Sequence, residues 1–141
     1  MVLVIPGDKS YEAGAMPDES LIGPMMKFNE DLADAGVMLA GDGLQPTSKG
    51  ARVTFSGGKR TVTDGPFAET REVIGGYWIW QVDSKQEALD WATRCPLLDG
   101  DTLELRQIFE PSDFAIDPQS ELGAQADRVA AKAEQNKSAA A

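Results

Sequence analysis

Apolar residues change their spacing several times along this chain, and each change marks an element. Met1–Ile5 is a wholly apolar run stopped by Pro6-Gly7, the pattern of a short buried strand. After a loop to Pro17, the residues Leu21, Met25, Phe28, Leu32 and Ala35 recur at steps of four, three, four and three, which places them on one helical face. Asp18, Glu19 and Ser20 suit the start of that helix and Gly36 its end, while Pro24 predicts that it begins near the proline or kinks there. Val37–Ala40 reads as a second strand, followed by a turn at Gly41-Asp42-Gly43. Beyond Gly50 the period drops to two. Ala51, Val53 and Phe55 alternate with Arg52 and Thr54, Ser56-Gly57-Gly58 turns the chain, and Arg60–Thr63 returns as a hairpin. Asp64–Gly76 is a loop bounded by glycine, and Tyr77–Val82 a strongly apolar strand. Ser84-Lys85-Gln86-Glu87 forms a capping box for a second helix, which presents Ala88, Trp91, Ala92 and Cys95 on one face before Pro96. Leu103–Phe109 is the last strand.

Without the hairpin, this is the βαββαβ order of a ferredoxin-like α+β sandwich, in which helices cover one face of an antiparallel sheet. The other face is also apolar here, with Trp78 and Trp80 on one side of their strand and Tyr77 and Ile79 on the other. A sheet apolar on both faces must be covered twice. A second copy of the same sheet is the simplest cover, so the expectation is a homodimer with a barrel-like interior.

Composition narrows the chemistry. The chain has 141 residues, one domain's worth, and 13 basic against 23 acidic side chains give a net charge of -10. That charge argues against non-specific binding to nucleic acid or to anionic membranes. No apolar run approaches the length of a membrane span, and no basic segment precedes a signal-like stretch, so a cytoplasmic protein is expected. The absence of histidine and the single cysteine, Cys95, exclude zinc fingers, His-ligated metals, an internal disulfide and a Ser-His-Asp triad. Neither Gly41-Asp42-Gly43 nor Gly75-Gly76 fits a dinucleotide or phosphate loop, and the acids lack calcium-loop spacing; no metal or organic cofactor is expected. The composition shifts near Pro111. Residues 1–110 carry 18 acids and 10 bases, whereas residues 111–141 carry five acids, three bases and nine alanines. The expected organisation is therefore a globular domain over 1–110, a partly helical arm over 111–137 and a cloning remnant at 138–141.

At Asp64-Gly65-Pro66-Phe67-Ala68-Glu69-Thr70 the chain resembles the YCII-related, DGPF-domain family of small bacterial proteins. Lys27-Phe28-Asn29-Glu30, Ala40-Gly41-Asp42-Gly43-Leu44, Gly58-Lys59-Arg60-Thr61-Val62-Thr63, Gly75-Gly76-Tyr77-Trp78 and Arg94-Cys95-Pro96 extend the likeness. Glu12-Ala13-Gly14 and the segment after Phe109 resemble a longer subgroup, so the similarity runs over residues 1–135. The resemblance implies a dimeric α+β barrel. Relatives in the wider superfamily are lyases, isomerases or dehalogenating enzymes of small molecules, and some DGPF members are encoded beside sigma factors. The YCII branch often pairs a histidine with an aspartate in its cleft, a mechanism that cannot transfer to a chain without histidine.

Asp64 is the first candidate for chemistry: a carboxylate at a strand end acts as a general base in a dry cleft, and is equally good turn chemistry ahead of Gly65-Pro66. Phe67 either anchors the loop or touches ligand. Arg71 reads as an anion clamp and Glu69 as a second acid or base, against a solvated charged loop that also includes Glu72. Glu104 and Arg106 point away from Leu103 and Leu105, into the barrel interior if their strand is enclosed and into water if it is an edge. Arg52 and Arg60 read as guards of an edge strand, Trp78, Trp80 and Trp91 as core or dimer contacts, and Cys95 as buried and inert on its helix. Two functions follow. One is a small-molecule-binding dimer, with cofactor-independent isomerase or lyase chemistry based on Asp64. The other is a non-enzymatic regulatory module that docks a protein partner and is associated with sigma-factor regulation.

Overall fold

A computed structural model of the chain describes residues 1–67 and 72–140. The chain divides into two compact units, Met1–Gln107 and Ile108–Ala141.

The first unit is built on β1 (Val2–Ile5), α1 (Glu19–Asp34), β2 (Met38–Gly43), β3 (Ala51–Ser56), β4 (Lys59–Asp64), β5 (Gly76–Trp80), α2 (Lys85–Ala92) and β6 (Thr102–Leu105). Four strands form one sheet in the order β2-β5-β1-β6, every neighbouring pair antiparallel. With β3 and β4 set aside, that is the ferredoxin-like α+β arrangement which the element order predicts. β3 and β4 pair only with each other, joined through Gly57 and Gly58 at φ +55° and +76°, the left-handed pair that a two-residue hairpin turn requires.

The core lies on one face of the four-stranded sheet, under both helices. Val2, Phe28, Leu32, Val37, Trp78 and Trp80 are buried, and Trp91, Leu103 and Leu105 pack against them. The Phe28 ring stands edge-on to three indoles, with centroids 6.2 Å from Trp78, 6.3 Å from Trp80 and 6.4 Å from Trp91. Trp78 Nε1 donates to Asn29 Oδ1 at 2.9 Å, so its burial leaves no orphaned donor. The sheet's opposite face carries Leu3, Ile5, Tyr77 and Ile79, each half-buried in the single chain.

Several boundaries differ from the sequence-based expectation, each for a physical reason. Gly41-Asp42-Gly43 is not a turn but the second half of β2, in register with Trp78, Tyr77 and Gly76. Gly41 is required there because a Cβ would lie 2.4 Å from Cδ1 of Trp78, not because the backbone bends. α1 begins at Glu19, with the Asp18 carboxylate accepting from the Leu21 amide. Pro24 is carried in its second turn, where it has no N–H to give the Ser20 carbonyl. The helix ends in a Schellman arrangement: Gly36 at φ +71° donates to the Ala33 carbonyl and Val37 to that of Leu32. α2 stops at Ala92, so Cys95 lies beyond the helix, although it still packs on the core. β6 ends at Leu105. Phe109 is therefore not part of the last strand; it belongs to the second unit, where it is exposed and its ring lies 5.3 Å from that of Phe114.

The second unit consists of a short turn at Pro111–Asp113 and the helix α3 (Glu121–Ala140). Its start is tied by Ser120 Oγ, which accepts from the Gly123 amide at 3.1 Å. The helix is rich in alanine, and its larger apolar side chains, Leu122 and Val129, are exposed.

Leu32 has 0% exposure and sits at the centre of the core. Leu32→Ala should lower unfolding free energy by about 2–5 kcal/mol, read from urea denaturation, because the rigid aromatic surroundings cannot collapse into the cavity.

Candidate functional site

The hairpin leaves the sheet at the end of β2 and returns to it at β5, and between the segment after β2 and Phe67 with residues 72–74 lies a cleft. Tyr11 and Glu12 hold the outgoing segment. The Tyr11 hydroxyl donates to the Leu44 carbonyl; the Glu12 carboxylate accepts from the Thr47 amide at 3.0 Å and from the Thr47 hydroxyl. Against this anchored segment lies Gly65, whose amide donates to the Gly50 carbonyl at 2.9 Å. A Cβ on Gly65 would fall 1.7 Å from the Thr47 carbonyl oxygen, so the contact is backbone on backbone and admits only glycine. The Gly65–Pro66 peptide is cis, and Phe67 follows it into the cleft.

The cleft has a volume of about 360 Å³. Leu44, Val73, Ile74 and Phe67 supply apolar surface, while Lys49, Arg52 and Glu72 supply charge. The Arg52 guanidinium lies over the Phe67 ring, 3.9 Å from its centroid, a cation–π contact that orients both groups. Arg52 is thus more than an edge guard. Arg60 makes a looser contact of the same kind with Phe55, at 5.5 Å.

Of the residues singled out in the sequence, Phe67 lines this cleft. Asp64 is the last residue of β4, exposed and paired with Ala51, a residue of the cleft wall. Glu69 and Arg71 lie outside the described residues. Glu104 sits on β6 and Arg106 just past its end, at the sheet edge opposite β2, roughly 14 Å away across three strand spacings. Glu104 is opposite Leu3 and therefore on the sheet face turned away from the helices. It pairs with Arg106 at 3.7 Å, with the arginine side chain 72% exposed. The single chain does not bring this pair together with Asp64 or Phe67.

An acid–phenol pair also lies at the cleft's end of the sheet. Tyr77 on β5 is directly opposite Asp42 on β2, and its hydroxyl donates to Asp42 Oδ2 at 3.0 Å. That hydrogen bond, reinforced by the carboxylate's charge, raises the Tyr77 pKa, so the phenol stays protonated and serves as a donor. Reading Gly41-Asp42-Gly43 as a turn hid this pair. The available signal was Tyr77 itself, a polar-tipped aromatic on the half-buried face that needs a partner on the neighbouring strand.

Cys95 is the chain's one thiol, and burial, with a smaller contribution from the Asp101 charge, pushes its pKa from 9.0 to about 11. Its neutral form is favoured in the folded state. The associated stability is fully present below the ordinary thiol value and is lost as pH rises through about 11. Among the described residues, no three carboxylate or thiol groups are placed to hold a metal ion. Iodoacetamide should label Cys95 in native protein at least tenfold more slowly than in urea-unfolded protein at about pH 8, measured by mass spectrometry, because so little thiolate forms. Equal rates would place the thiol in an activated environment.

No helix among the described residues is long and apolar enough to cross a membrane. An uncharacterized protein of Rhizobium meliloti (strain 1021) is 35% identical over 75 residues, which cover 53% of this chain and 60% of that protein. The chain thus matches less than two thirds of that relative's length. The YCII-related domain matches residues 1–112. Since that stretch holds every strand of both sheets and the two helices over the core, the chain belongs to the YCII-related domain family.

Proposed function

We propose that this chain is a small-molecule-binding protein, acting as a cytoplasmic homodimer, whose ligand enters the cleft between the β2–β3 connection and the Asp64-Gly65-Pro66-Phe67 loop. The observation that carries the reading is the cleft itself: a 360 Å³ concavity with apolar walls and a few oriented charges, the ordinary composition of a ligand site. Its backbone frame is secured by the Gly65–Thr47 approach and the Glu12 carboxylate, so it is preorganised rather than assembled on binding.

The half-buried apolar face of Leu3, Ile5, Tyr77 and Ile79 supports the dimer, since a second sheet laid against it would remove that surface from water. Such a partner would also enclose the Asp42–Tyr77 and Glu104–Arg106 pairs. The chemistry that fits is cofactor-independent acid–base transfer of isomerase or lyase type. Asp64 takes a proton from carbon beside an activating group and returns it to a neighbouring atom, or to the departing one, with the charge on the substrate balanced by Arg71 or Arg106. Phe67, Glu69 and Glu104 complete the contacts with the ligand. The second reading, a regulatory module docking a protein and associated with sigma factors, draws support from the hairpin, where Val53, Phe55 and Val62 are 52%, 70% and 66% exposed. The segment 111–137 would then be its docking arm.

A thermal-shift screen against small acids, lactones and phenols tests the first reading. One chemical class should raise the melting temperature by a few degrees, and Asp64→Asn should abolish the shift while remaining folded. No shift with any class would favour the docking reading. Sedimentation equilibrium should return twice the 15.1 kDa chain mass, and Ile79→Glu should move the protein to monomer by placing a charge in the apolar interface. A monomeric wild type would remove the dimer.

A further inference from the structure

We infer that the cleft takes a small organic anion: a carboxylate on a flat apolar body, the carboxylate held by Arg52 and Lys49 and the body lying against Leu44, Ile74 and Val73. This rests on the cleft being a ligand site and specifies what enters it. The first argument is charge. The chain carries -10 overall, yet residues 49–64 hold Lys49, Arg52, Lys59 and Arg60 against one acid, Asp64. The hairpin is thus a positive island, and the cleft lies at its base with two cations and one acid, Glu72, among its described lining residues. An anion repelled by most of the molecule is attracted here, whereas a cation finds better sites elsewhere.

The second argument is geometry. Among the described residues neither Arg52 nor Lys49 belongs to an ion pair. Arg52 is tethered by the Phe67 ring, its guanidinium carbon 3.9 Å from the ring centroid, and a guanidinium can grip a carboxylate through two parallel hydrogen bonds from its N–H fork. The rotamer entropy that an arginine normally loses on gripping an anion is already partly removed. The third argument is size and polarity: a cleft of about 360 Å³ holds a single ring with its carboxylate, and among the described residues its uncharged walls are mostly apolar, with Thr47 already bonded to Glu12 and Gln45 left as a neutral polar side chain.

The test is an amide-resolved NMR titration of the full chain with benzoate, with its neutral isostere benzamide, and with benzylamine. Benzoate should shift the amides of Lys49, Arg52 and Phe67, and benzamide and benzylamine should bind at least tenfold more weakly, roughly the value of one charge-assisted hydrogen-bonded pair. Arg52→Gln should weaken benzoate about tenfold and Arg52→Lys by less, since lysine keeps the charge and loses the fork. Lys49→Gln provides a second weakening that leaves the Arg52–Phe67 stack in place, should the Arg52 variants disturb the loop. Benzamide or benzylamine binding as tightly as benzoate at the cleft amides would overturn the anion assignment and leave the cleft standing as a ligand site. So would benzoate binding unchanged in both Arg52→Gln and Lys49→Gln. Failure of all three probes to move any cleft amide would overturn both.

Discussion

The approach of the Trp78 indole to the backbone of β2 is the contact on which the rest of the first unit depends. Gly41 leaves room for the ring, Asn29 accepts from its nitrogen, and the edge of Phe28 closes over it. One residue therefore joins β5, β2 and α1. Because Trp80 and Trp91 share the same Phe28 ring, α2 is brought onto the same side of the sheet. Aromatic edge contacts are each worth about 0.5–1.5 kcal/mol beyond the area they bury, and their directionality selects one packing among several apolar ones. Concentrating large rings on one face leaves the opposite face with Leu3, Ile5, Tyr77 and Ile79, and with polar groups that find partners across strands.

The cleft depends on a different constraint, the close passage of two backbones. Gly65 touches the carbonyl of Thr47, and Thr47 is held from behind by Glu12. This explains why a Gly-Pro pair follows β4: glycine permits the approach and proline limits the backbone beside it. Asp64, one residue earlier, is then placed by the end of the hairpin and Phe67 by the turn beyond it. The site is thus mounted on a ribbon that contributes little to the core. Division of labour between a rigid sheet and a mounted loop is common where ligands bind.

Electrostatics separates the two regions further. The acids of the helices and loops give the chain its negative charge, whereas the hairpin reverses the sign locally. Arg52 and Arg60 both lie over phenyl rings, so these cations are tethered to apolar surface instead of moving freely in water. Asp42 and Tyr77 form the converse case, an acid whose charge is partly satisfied by a neutral donor on the next strand.

Local features were legible in the sequence because their causes are local. The four-and-three spacing from Leu21 to Ala35 produces α1, Ser84 caps α2, and Gly57-Gly58 turns the hairpin, each through groups within a few residues of one another. The faces of Trp78, Tyr77 and Glu104 followed as well, since strand alternation is itself local. What the sequence did not disclose were features made by residues distant along the chain. Gly41 looked like a turn because glycine permits one, and only the arrival of Trp78, 37 positions later, shows that it serves packing. The Asp42–Tyr77 pair was hidden for the same reason. Arg52 acquired its role from Phe67, on the far side of the hairpin, and Glu104 was separated from the cleft by the strand order β2-β5-β1-β6. Periodicity and turn chemistry determine which elements form; the order in which strands pair, and hence which side chains meet, is decided by burial and steric fit across the whole unit.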